Sequence, residues 1–107
     1  MKTILAALLL LVSTAAWADG SSTPWAMGGN YSHFDPVVAQ YNASGERFRI
    51  QGHCQSSCTL FLAIRNVCIE PSATLLFHSA HDRQRNVSPA LTQHMLAAYN
   101  APRFANM

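Results

Sequence analysis

The stretch GHCQSSCTLFLAIRNVCIEPSATLLFHSA, residues 52–80, decides how the chain folds. Gly52 closes the run Arg47-Phe48-Arg49-Ile50, whose polar–apolar alternation is that of a half-buried strand. From Ser56 onward, Cys58-Thr59-Leu60-Phe61-Leu62-Ala63-Ile64 is apolar on every side, which predicts a helix buried all round. Arg65-Asn66 stops it. Val67-Cys68-Ile69 reads as a short strand, Glu70-Pro71-Ser72 as a turn, and Ala73 to Phe77 as a second strand with His78 at its end. A strand, a buried helix and a returning strand predict a right-handed crossover on a small parallel sheet.

Working outward, Asp35-Pro36 supplies a helix N-cap and a first helical residue. Val37, Val38 and Tyr41 give an apolar stripe and Ser44-Gly45 a stop, so a short helix is expected over 36–43. Gly28-Gly29 breaks the chain before it, and the small polar residues of 19–26 predict a loose terminus. On the other side, Ser88-Pro89 starts a last helix, with Leu91, Met95 and Tyr99, joined by Leu96, as its buried face. The expected order is α-β-α-β-β-α within one α/β domain, residues 19–107.

The first residues read as an export signal. Met1-Lys2 is a basic start, Ile4 to Val12 an apolar run too short to span a bilayer, and Ala16-Trp17-Ala18 a small-residue cleavage site. Cleavage is expected after Ala18, giving a periplasmic or secreted protein with no membrane attachment once the signal is removed. Lys2 is the only lysine; the remainder carries six arginines against five acidic residues, a balance that fits neither a nucleic-acid groove nor an acidic partner. Export also delivers Cys54, Cys58 and Cys68 to an oxidising compartment. Three cysteines allow three single pairings, each leaving one thiol over, and spacing does not choose among them. A Cys54–Cys58 bridge would brace the turn at Ser56 with little entropic gain; Cys68, in an apolar strand, is most simply buried or bridged.

Ser56 stands at the turn from a strand into the buried helix. Such a turn exposes a side chain at the strand's C-terminal edge, among the free N–H groups of the helix start. A serine hydroxyl is a weak nucleophile at neutral pH and needs a base. If the strand ending at His78 runs parallel to 47–51, the imidazole emerges at that same edge, and Gly28-Gly29 lets backbone approach closely.

The order of these pieces resembles a Clp-protease-like (ClpP/crotonase) core, in which a Gly-Gly turn, a serine opening an apolar helix and a histidine ending a later strand occur in sequence. More closely, GHCQSSCT…VCIEPSATLLFHSA resembles a family of small exported bacterial proteins related to that fold, with the pattern G-x-C-x-S-A-C-T, then I-C, then A-x-L-G-F-H-A-A. The resemblance spans residues 27–99 and is densest over 52–80. It implies Ser56 as nucleophile, His78 as general base, the backbone N–H groups of Gly28 and Ser57 as oxyanion donors, no cofactor, a peptide or acyl substrate, and oligomeric relatives. Ser57 replaces the family's alanine and Leu76 its glycine, no Ser/Pro pair precedes Gly28, and Pro36 falls within a stretch that is helical throughout in the family. The proteases' orienting aspartate comes far downstream of the histidine, and Asp82 is the only acidic residue after His78. Because the resembled proteins continue past this point, a chain truncated after Met107 is expected.

Two other classes compete. One is a catalytically inactive envelope binding or structural protein of the same fold, since a fold does not carry its activity with it. The other is a copper or zinc protein using Cys54, Cys58 and His78, with His78, His81 and Asp82 as a further cluster; the spacing is not a standard zinc pattern, and a disulfide would remove the thiolates. His33, His53 and His94 read as surface or supporting residues. Tyr41, Tyr99 and the methionines at helical spacing read as core.

Overall fold

The computed structural model describes residues 19–103. The candidate signal segment and the final four residues lie outside them. The chain is a small α/β fold with parallel strands. Its elements are β1 (Gly20–Ser21), α1 (Asp35–Ser44), β2 (Phe48–Ile50), β3 (His53–Gln55), a 3-10 helix (Ser56–Ala63), β4 (Val67–Ile69), β5 (Thr74–Leu76) and α2 (Pro89–Tyr99), with 3-10 turns at Thr23–Trp25 and Tyr31–His33.

The strands form two parallel sheets, ordered β1-β2-β4 and β3-β5. Phe48 pairs with Val67 and Ile50 with Ile69 in the first, while His53 pairs with Thr74 and Gln55 with Leu76 in the second. The returning strand of the crossover is therefore β4, and the strand leading to His78 joins β3 instead of β2. Gly52, at φ +61°, turns the chain between β2 and β3, so that two consecutive strands enter different sheets. The same strand–strand–helix unit occurs twice, once ending in the 3-10 helix and once in α2.

The segment 19–26, expected to be loose, contributes an edge strand: Gly20 and Ser21 pair with Phe48 and Arg49. Ser22 is buried, and its hydroxyl accepts from the Gln51 N–H at 2.9 Å. Asp19 meets Arg49 at 2.7 Å outside the sheet. A two-residue strand has no periodicity to read and is specified by its partner.

Burial follows the apolar pattern in β2 and the 3-10 helix, while Met27, Ile69, Leu76, Phe77 and Val87 stay exposed. The 3-10 helix is enclosed from Ser57 to Leu62, and Phe48, Phe61 and Phe34 pack together at its centre, with ring centroids 4.4 Å apart for Phe48–Phe61 and 5.4 Å for Phe34–Phe61. Enclosing those three rings supplies roughly 1.5–3 kcal/mol each of apolar transfer free energy. α1 starts at Asp35 with Phe34 as its cap residue, one position earlier than the sequence implies, which frees the Asp35 carboxylate to meet His94 Nε2 at 3.0 Å. α2 is capped as expected, Ser88 Oγ accepting from the Leu91 N–H at 3.2 Å. It buries Met95 and Ala98, whereas Leu96 lies 42% exposed, a correction to the expected buried face. Cys68, expected to be buried or bridged, is half-buried and free.

Candidate active site

Ser56 and His78 line one cleft of about 400 Å³, together with Gly29, Ser57, Tyr31 and the loop residues from His81 to Arg83. The parallel β3–β5 pairing brings them there. Ser56 directly follows Gln55, His78 lies two residues beyond Leu76, and Gln55 and Leu76 are register partners. Both side chains therefore leave the sheet at its C-terminal edge, as expected, but through β3 and not through 47–51.

Ser56 has φ +56°, one of only two non-glycine residues with positive φ among the described residues. For an L-residue this left-handed conformation costs roughly 1–2 kcal/mol, so the surroundings must hold it. Cys54 and Cys58, one on each side, are at disulfide distance with Cα atoms 5.3 Å apart, and both are fully buried. On the third side stands Gly28, at φ +80°. A Cβ there would lie 2.9 Å from Ser56 Cβ and 3.0 Å from the Gln55 carbonyl. The Gln55 N–H donates to the Ala26 carbonyl at 2.9 Å, and the Ser57 hydroxyl donates to the Gly29 carbonyl. The Gly-Gly segment and the serine turn thus form one interlocked unit.

That packing changes the assignment of the donors. The Gly28 N–H donates to the Trp25 carbonyl at 3.0 Å, closing the 3-10 turn before it. It is engaged and cannot serve as a free oxyanion donor, a correction to the expected role. Gly28 instead admits the serine turn sterically. The Ser57 N–H, in the first turn of the 3-10 helix, has no acceptor among the described residues, nor does the Gly29 N–H, and both residues line the cleft.

His78 Nδ1 lies 2.7 Å from the Ser79 carbonyl oxygen. A carbonyl only accepts, so the neutral ring carries its proton on Nδ1 and leaves the Nε2 lone pair free, the tautomer a general base needs. No hydrogen bond joins Ser56 Oγ to His78 among the described residues. Asp82 is no orienter: its Oδ1 accepts from the Gln84 N–H at 2.9 Å and the Asn86 N–H at 3.0 Å, holding its own loop. Tyr31 flanks the cleft with its hydroxyl donating to the Leu91 carbonyl at 2.9 Å; burial, then Tyr99 and Asp35, push its pKa up to about 12.

A second, apolar groove of about 250 Å³ meets the cleft at His78 and is walled by Phe77, Met95, Leu96 and Tyr99. The Phe77 ring stands edge-on to Tyr99 with centroids 5.0 Å apart. Composition did not foreshadow this groove. Its one signal in the sequence was the pair of large apolar residues immediately before His78.

The thiolate–imidazole constellation is not assembled. Cys54 and Cys58 are occupied with one another, and no group of three metal-ligating side chains comes together among the described residues. His78 and His81 lie side by side, ring centroids 5.7 Å apart, without a third partner. His33, His53 and His94 are exposed, as expected. No helix among the described residues is long and apolar enough to cross a membrane. Compared with known proteins, the chain matches no family model, no curated sequence and no solved structure.

Proposed function

We propose that this chain is an exported serine hydrolase or peptidase with a ClpP/crotonase-like core, in which Ser56 is the nucleophile and His78 its base. The observation that carries the reading is the paired geometry: a serine held at positive φ where β3 enters a helix, facing the same cleft as a histidine whose Nδ1 is already committed as a donor. A left-handed serine at a strand-to-helix turn exposes its Oγ and surrounds it with helix-start N–H groups. The strain at Ser56 is of the kind proteins keep at functional positions. The two strand–strand–helix units support the finer fold reading. The buried Cys54–Cys58 pair supports export, since such bridges persist in oxidising compartments.

In this mechanism His78 Nε2 takes the Ser56 hydroxyl proton as Oγ attacks an acyl carbonyl. The tetrahedral oxyanion is held by the Ser57 N–H, with the Gly29 N–H as second donor. Collapse expels the leaving group, which receives the proton from His78. Water, activated by the same imidazole, then releases the acyl group from Ser56. The substrate is a peptide or acyl ester, and the apolar groove beside His78 gives room for an apolar flank of the scissile bond. Reaction with a fluorophosphonate tests the reading: oxidised wild type is labelled at Ser56, and Ser56→Ala and His78→Gln are not. A folded, oxidised wild type that stays unlabelled refutes it.

One observation favours the competing reading, a binding or structural protein of the same fold. Ser56 Oγ and His78 share no hydrogen bond. In a resting site such a contact is often long and tightens only with substrate, so the labelling experiment decides between the two.

A further inference from the structure

Among the described residues no carboxylate meets His78, yet its ring is held. The acceptor at its Nδ1 is the carbonyl of the Ser79–Ala80 peptide. The other end of that same peptide is the Ala80 N–H, which donates to Thr92 Oγ1 at 3.1 Å. The Thr92 hydroxyl in turn donates to the Ser88 carbonyl at 2.8 Å, and the Ser88 N–H returns to the Ala80 carbonyl at 2.8 Å. Ala80 itself is buried. The start of α2 thus holds both backbone groups of Ala80: Thr92 takes its N–H, in the peptide whose carbonyl meets His78, and the Ser88 N–H takes its carbonyl, in the following peptide, within one chain of hydrogen bonds. Links in such a chain polarise one another.

We propose that Thr92, acting through the Ser79–Ala80 peptide, is the positioning residue that sets the tautomer and orientation of His78, the part an orienting carboxylate would otherwise play. The proposal rests on the hydrolase reading for its catalytic consequence; the tautomer does not depend on that reading. When Nε2 takes the Ser56 proton, the ring carries two protons and one positive charge, and the Nδ1–H stays on the Ser79 carbonyl. The proton then leaves from Nε2 to the leaving group. A carbonyl dipole stabilises the imidazolium less than a full negative charge does, so the pair works without charge compensation behind it.

The test uses oxidised protein with ¹⁵N-labelled histidine and two readouts. Ring ¹⁵N–¹H correlations, taken where imidazole is neutral, report the tautomer of His78; fluorophosphonate labelling of Ser56 reports reactivity. Wild type shows His78 protonated on Nδ1. Thr92→Val, which keeps shape and loses the hydroxyl, gives a tautomer mixture and labels about fivefold to tenfold more slowly, the loss of roughly one hydrogen bond. Thr92→Ser restores both. Asp82→Asn, which keeps the loop-capping oxygen, does not lose labelling by the factor of about 10⁴ that removing an orienting carboxylate costs.

Three results overturn the proposal: wild-type His78 protonated on Nε2, Thr92→Val matching wild type in tautomer and rate, or a loss of about 10⁴ in Asp82→Asn, which would make Asp82 the orienter. If wild type never labels, the hydrolase reading falls, and the tautomer of wild type and Thr92→Val still decides on the clamp. If Thr92→Val does not fold, the wild-type tautomer and the Asp82→Asn rate decide.

Discussion

Two glycines with nearly the same φ allow the Ser56 turn to be weighed. Gly28 has φ +80° and Gly45 φ +75°. Replacing either with alanine costs roughly 1 kcal/mol for the left-handed conformation. The entropy that alanine removes from the unfolded chain is the same at both positions and cancels in the comparison. Their surroundings differ. A Cβ at Gly45 meets nothing within 4 Å, whereas at Gly28 it meets Ser56 Cβ at 2.9 Å, the Gln55 carbonyl at 3.0 Å and the Ser57 nitrogen at 3.2 Å. None of these is the end of a flexible side chain. Gln55 is tied to Ala26, and Ser57 to Gly29, so the turn cannot retreat without breaking bonds. Overpacking of this kind adds roughly 1–3 kcal/mol. Gly45→Ala should therefore lose about 1 kcal/mol and Gly28→Ala about 2–4 kcal/mol in urea titrations. In melting experiments each kcal/mol is worth about 4–8 °C for a domain of this size. If Ser56 is the nucleophile, Gly28→Ala should also label poorly with fluorophosphonate even below its unfolding transition, because the added methyl presses on Ser56 Cβ. If the two variants unfold at the same urea concentration, the close approach of Gly28 to the Ser56 turn is wrong.

Ser56→Gly should be more stable than Ser56→Ala by about 1 kcal/mol, since glycine adopts φ +56° without strain, while neither variant is labelled; equal melting temperatures would show that Ser56 is not strained. Reduction of the Cys54–Cys58 bridge should cost about 2 kcal/mol, the loop-closure value for so short a loop, read as a shift in urea midpoint with and without reductant. No shift would mean that the bridge is absent in solution. Alkaline titration should expose Tyr31. Its pKa rises from 10.0 to about 12 in the fold, so the folded chain holds that proton more tightly than the unfolded chain. The associated stability is complete below pH 10 and is lost as pH climbs through about 12, and Tyr31→Phe should lack that component of the alkaline loss. A Tyr31→Phe profile parallel to wild type would refute it.

Much of the fold was legible because its elements carry local signals. Pro36 and Pro89 mark the helix starts, Gly45 a stop, and the unbroken apolar run after Ser57 could only be enclosed. β1 and β3 were not legible. Gly20-Ser21 and His53-Cys54-Gln55 carry no apolar alternation or apolar run to announce a strand, and each exists because a partner strand presents ladder groups to it. Missing β3 also misassigned the partner of the His78 strand, although the conclusion that Ser56 and His78 share an edge survives, because β3 and β5 are parallel in their turn. At the site, Ser56 and His78 were visible as residue types. The engagement of Gly28 by Trp25 and the support of His78 by Ser79 were not, because both run through backbone atoms that every residue has.

Ser56 opens the 3-10 helix and His78 lies in the loop after β5, and a loop alone does not fix an imidazole relative to a hydroxyl. α2 does so for both. Near its C-terminal end the Tyr99 hydroxyl donates to Thr59 Oγ1 at 2.6 Å, and the Thr59 hydroxyl donates to the Ser56 carbonyl at 2.6 Å. Near its N-terminal end Thr92 Oγ1 accepts from the Ala80 N–H, in the peptide whose carbonyl meets His78 Nδ1. Met95, buried between these two contacts, fixes the helix against the core. One rigid helix therefore reaches the backbone at Ser56, the proposed nucleophile, at one end and the backbone beside His78, its proposed base, at the other, so a shift of α2 changes both at once. Rigid elements place functional groups more accurately than the loops that carry them. That arrangement accounts for a serine and a histidine held in register with no acid meeting the pair among the described residues.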